Sequence, residues 1–190
     1  MMNAHSPLRR ARRPGQAVPL AVIALPVLLA FTLLVVEVAE RWLEAAMVED
    51  ALQQATRSAV QSLDYAAFAR GEAGLRAGAP CVAQTAGEAA RGPCAEVIAV
   101  ADRFLRTNLR GVRGLAGASH EDAIEAVASQ VVWTVMPEGG GCAFSNGKLV
   151  PPAPTPLICA EARPTMEGLV GWGTYSPTII AADRLDPIRP

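Results

Sequence analysis

Four cysteines, two histidines and scattered acids are the residues of this 190-residue chain whose types could do chemistry. Cys81, Cys94, Cys142 and Cys159 offer no pair with the two-to-four-residue gap that lets two thiolates share a structural zinc ion. With only His5 and His120 as imidazoles, no metal site is expected. Disulfides suit the spacing better. Three pairings are open, and the sequential one is favoured: Cys81 with Cys94 closes a short loop around Gly87 to Pro93. Cys142 with Cys159 does so around Gly147 to Pro156. Each such bridge stabilises by about 3 kcal/mol on loop-entropy grounds.

A hydrolytic triad needs a nucleophile, a positioned base and an orienting acid. His120 is the candidate base, with Asp122 and Glu125 nearby, but it lies in a polar stretch that reads as a solvated helix face. Gly139 to Gly141 lack the Lys and helix that complete a phosphate loop. No enzyme and no cofactor are expected. Arg103, Arg106, Arg110 and Arg113 recur at three and four, a stripe that could meet phosphate. Without interleaved aromatics, and diluted by Glu96 and Asp102, it disfavours DNA as a partner.

Chemistry being sparse, the elements carry the argument. Residues 17 to 36 form twenty consecutive positions without a charge. As a helix at ~1.5 Å per residue they match the ~30 Å core of a bilayer. Signal cleavage is disfavoured, because sites after Ala39 and Ala46 put Glu37 and Glu44 at the −3 position. A twin-arginine signal is disfavoured too, since Pro14 and Gly15 stand where polar and apolar residues belong. Arg9, Arg10, Arg12 and Arg13 precede the span, while the remainder has thirteen basic against eighteen acidic residues. The positive-inside rule then puts residues 1–16 in the cytoplasm and 37–190 outside, as a single-pass protein of the inner membrane. There disulfides persist, and His5 is kept apart from His120.

Beyond the span the helical pattern continues. Val38, Trp42, Ala45, Val48, Leu52, Ala55, Ala59 and Leu63 recur at three and four, opposite Glu40, Glu44, Asp50, Gln54, Arg57 and Gln61. The expected helix therefore runs on through residues 37–69 to the breaker Gly71, on the order of 80 Å in all. Pro19 and Pro26 lie in its lower part, where a proline removes a backbone donor and bends the chain. Pro26, Glu37 and Trp42 are the residues expected to govern helix packing.

Residues 70–190 are expected to form a small disulfide-stapled α+β domain. Its linker is rich in Gly71, Gly74, Gly78 and Pro80. A second helix from Ala95 to Leu109 would cover a sheet with Val97, Ala101, Phe104 and Leu105, ended by Gly111. A short helix capped by Ser119 should follow. Strands are expected in "SQVVWTVMP", residues 129–137, with Val131, Trp133 and Val135 on one face, and at 157–163 and 178–182. Gly139 to Gly141 read as a turn, and the Pro-rich "PPAPTP" follows. The fold class is thus α+β: a long N-terminal transmembrane helix continuing outside the membrane, packed on a small antiparallel sheet with a second helix.

"RRPGQAVPL", "LPVLLAF" and "VVEVAERW" together resemble the N-terminal segment of the TadE/TadG-like proteins of the tight-adherence (Flp) pilus system. The resemblance covers roughly residues 9 to 69. It implies an arginine cluster and Gly before the span, a Leu-Pro inside it and an acid, Glu37, near its outer end. Leu20 stands where peptidase-processed members carry Glu, which aligns the chain with the unprocessed TadG-like branch. A pilin-like fold and a structural or assembly role follow as expectations. The partners would be the lipid bilayer, pilins and pilus-assembly membrane proteins, in homo- or hetero-oligomers. An anchored binding or adhesion module is the alternative.

Overall fold

One helix, α1 (Ala17–Val60), is 44 residues long and organises the rest of the chain. The computed structural model describes residues 17–168 and 173–185. No glycine interrupts α1, and Pro26 is accommodated within it. Its upper surface is supported by Gln53 and Gln54, which donate to Glu49 and Asp50 one turn earlier. The lower half is bare: from Val22 to Val36 every large apolar side chain is exposed, Ile23 by 68% and Phe31 by 63%. Higher up, Val48, Ala51, Leu52, Ala55 and Ala59 are buried. By length and composition α1 can cross a membrane.

The helix ends at Val60, nine residues before the expected limit at Ala69. Ser62 donates its backbone N–H to Ala59, and Leu63 leaves the helical stripe to bridge Leu75. Asp64 then accepts from the N–H groups of Ala66 and Ala67 and starts a separate short helix, α2 (Tyr65–Ala69). An N-cap aspartate offers the backbone an alternative to continuing the helix. No glycine or proline marks the break.

The linker leads to β1 (Cys81–Gln84), which was not expected, and α3 (Ala86–Ala89), started by a Thr85–Glu88 capping box. Next come α4 (Ala95–Leu109) and α5 (His120–Gln130), the latter capped by Ser119. The strands β2 (Val132–Met136), β3 (Gly140–Ala143), β4 (Leu149–Ala153), β5 (Leu157–Ala162), β6 (Met166–Glu167), β7 (Thr174–Tyr175) and β8 (Ile179–Arg184) complete the domain.

Strands β1, β2, β5 and β8 form one antiparallel sheet in that order. Its register pairs Trp133 with Ala160, and Ala160 with Ala181. Alternation then sends Trp133, Val135, Ile158 and Ala181 into one buried layer, as period-two strands require. Helix α1 packs on β5 and β8, its small Ala55 and Ala59 permitting close approach, and α4 lies alongside α1. The second helix thus packs chiefly on the first, and α1 covers the sheet. The buried face of α4 is Val97, Ile98, Ala101, Leu105 and Leu109, while Phe104 is 39% exposed.

The stretch holding the expected Gly139–Gly141 turn and the Pro-rich segment after it forms a ribbon, β3 with β4. Pro151 and Pro152 fit because a two-stranded ribbon leaves one side of each strand unpaired. Arg184 donates to the Pro151 carbonyl there, and to that of Gly140 at 3.3 Å. Disulfides join Cys81 to Cys94 and Cys142 to Cys159, leaving no free cysteine. The first ties β1 to the start of α4; the second ties the ribbon to β5.

Candidate functional site

At the junction between the bare and the packed halves of α1 several polar side chains meet the domain. Glu37 follows directly on the uncharged run and is only 2% exposed. Arg41, one turn on, donates from Nε to its Oε1 at 2.8 Å. Glu at i with Arg at i+4 puts both on one helix face. The domain closes over them from the side. The backbone of Gly168 lies against the Glu37 carboxylate, and that of Gly114 against the carboxylate of Glu44. Glu167 donates its N–H to the Gly114 carbonyl, linking the two covering segments.

Tyr175 completes the junction. Its hydroxyl donates to the Arg41 carbonyl at 3.1 Å, and the Arg41 guanidinium stands 5.0 Å from the ring centroid. Burial, then the nearby carboxylates, push its phenol above the ordinary range against the opposing pull of Arg41. This arrangement holds charge and fixes geometry. The Gly168–Glu37 and Gly114–Glu44 contacts hold the domain at this height on α1.

Of the residues expected to govern packing, Glu37 is in the junction and Pro26 is in the bare half. Trp42 is turned away from the domain: it is 76% exposed, and Val38 beside it 47%. The domain meets the helix on the Glu37–Arg41–Glu44–Val48 face, which turns Val38 and Trp42 away from it. Arg41, Gly114, Gly168 and Tyr175 were missed by sequence reasoning. The Glu37–Arg41 spacing was the one available signal.

A concavity of about 470 Å3 lies on the sheet's other face among Thr134, Phe144, Cys159, Glu161 and Arg163. Glu161 accepts from the Ser145 N–H at 2.8 Å and from its hydroxyl, and Arg163 joins at 3.3 Å. Burial raises the Glu161 pKa, but these hydrogen bonds and the Arg163 charge outweigh it and hold the carboxyl below its usual range.

The other candidates are dispersed. His120 is exposed, its Nε2 3.2 Å from the Arg110 carbonyl, and Ser119 and Asp122 serve each other as a helix cap. Among the described residues no three His, Cys, Asp or Glu side chains are grouped to hold a metal ion. On α4, Arg106 is held by Asp102 and Glu125, which raise its pKa further, and Arg103 stacks on Phe104. Arg9, Arg10, Arg12 and Arg13 lie outside the described residues. No protein-family model, characterised protein or solved structure matches this chain.

Proposed function

We propose that the chain is a membrane-anchored structural or assembly component, minor pilin-like in kind, of a tight-adherence (Flp)-type pilus or a related secretion machine. The observation that carries this reading is the continuity of α1. One helix runs from a bare apolar half into the domain core and is clamped at Glu37 with no flexible linker between. A tether would gain nothing from such rigidity, whereas a rod passes any packing of its lower half directly to the domain. In lipid, helices associate through the fit of their surfaces. The bare half would pack on pilins and assembly proteins of the inner membrane, with residues 1–16 cytoplasmic and the domain outside. The N-terminal resemblance to TadE/TadG-like proteins supports the same reading.

Deleting the gene in the bacterium that encodes it and counting surface pili tests the proposal. Loss of pili, restored by the full chain, is expected; unchanged piliation would contradict it. A second reading, an anchored binding or adhesion module, rests on the sheet-face concavity around Phe144 and Glu161. Normal pili with lost surface adherence would favour that reading instead.

A further inference from the structure

The stretch from Glu37 to Glu44 is built inside out for a helix in water. Three of its four charged residues face protein: Glu37 is 2% exposed, the Arg41 side chain is 29% exposed, and Glu44 lies against Gly114. Its apolar residues face away from protein: Val38 is 47% exposed, Leu43 61% and Trp42 76%. Water would favour the reverse, since exposing apolar area and enclosing charge both cost free energy. From Val48 upward the ordinary pattern returns. Val48, Ala51, Leu52 and Ala55 point inward, and Glu49, Asp50, Gln53 and Gln54 outward.

We propose that the water line lies near Ala45 to Met47 and that Val38, Trp42 and Leu43 sit in the lipid headgroup layer of the outer leaflet. The proposal rests on the membrane-anchored reading and extends it: the domain stands in the membrane surface, not above it. Residues 37 to 43 rise about 10 Å along the helix. That is comparable with the ~5–8 Å headgroup layer on each side of the hydrocarbon. Tryptophan suits this layer because its ring is apolar and its N–H polar. The occupant is lipid because the exposed face continues, without a break, the stripe of Phe31 and Val35 from the span. The domain reaches down to the same height on the other side, with Gly168 at Glu37 and Gly114 at Glu44.

The test uses the purified full chain, disulfides intact, in vesicles of phosphatidylcholine and phosphatidylglycerol. Single Trp42→Cys, Leu43→Cys, Phe31→Cys and Gln53→Cys variants carry an environment-sensitive fluorophore. Quenching is read with iodide, a headgroup spin-labelled lipid and an acyl-chain spin-labelled lipid. The labels at 42 and 43 should be quenched several-fold more by the headgroup probe than by iodide, that at 31 by the acyl-chain probe, and that at 53 by iodide alone. Iodide quenching at 42 and 43 equal to that at 53 would overturn the proposal while leaving the anchor standing. Protection from all three probes would also overturn it, in favour of a covering protein helix. A label at 31 open to iodide would overturn the anchor itself.

Discussion

Gly168 lies so close to the carboxylate of Glu37 that a Cβ at Gly168 would stand 1.6 Å from Oε1. The carboxylate cannot swing aside into water, because it is enclosed and held by Arg41 at 2.8 Å. This contact sets where the domain sits on the helix.

Gly168→Ala should therefore loosen the junction. Thermal unfolding in detergent is expected to show a loss of about 1–3 kcal/mol, typical of an overpacked site. Gly87→Ala is the control: nothing lies within 4 Å of a Cβ there, so stability should change little. Equal effects of the two would mean that the Gly168 contact carries no weight.

The two disulfides predict a simple chemical result. Peptide mapping without reduction should find Cys81 linked to Cys94 and Cys142 to Cys159. Replacing Cys142 and Cys159 by Ser together should cost about 3 kcal/mol and release the β3–β4 ribbon from β5. Four free thiols in protein isolated from the membrane would contradict both statements.

Much of this architecture was legible in the sequence, for physical reasons that differ by element. The stripe of α4 and the alternation of Trp133 and Val135 are strong periodic signals, and burial followed them except at Phe104. The end of α1 was hidden because an aspartate cap, not a glycine or proline, restarts the chain at Asp64. The β3–β4 ribbon was hidden by the opposite effect, since its glycines and prolines are turn residues held in register by Cys142 and Arg184. At the junction, the helical stripe chose Val38 and Trp42 for the packed face. The charge–backbone contacts at Gly114 and Gly168 that put the domain on the Glu37 face leave no periodic trace.

Acid should weaken the ribbon's hold on the sheet through Glu161. Its folded pKa lies below the unfolded value, so it contributes stability at neutral pH that is lost as pH falls through the folded pKa. Glu161→Gln should lower the urea midpoint at pH 7 by the equivalent of about 1 kcal/mol. The difference should begin to shrink as pH falls past the ordinary Glu value of about 4.3 and close once pH has passed the lowered folded pKa. A gap that widened on acidification would reverse the sign argued for this group.

Orientation is open to a direct reporter. An enzyme active only outside the cytoplasm, fused after Pro190, should be active in cells, and changing Arg9, Arg10, Arg12 and Arg13 to Glu should lower that activity. Activity confined to a cytoplasmic reporter would invert the topology.

The central claim is that the lower half of α1 is a packing surface and not a tether. Replacing residues 17–36 by a polyleucine span of equal length tests it most directly, once the variant is confirmed in the membrane with unchanged orientation. Surface pili are then counted against the unaltered chain. Loss of pili is the predicted result, because leucines supply hydrophobicity but not the surface that partner helices fit. Normal piliation would contradict the claim and reduce the segment to an anchor.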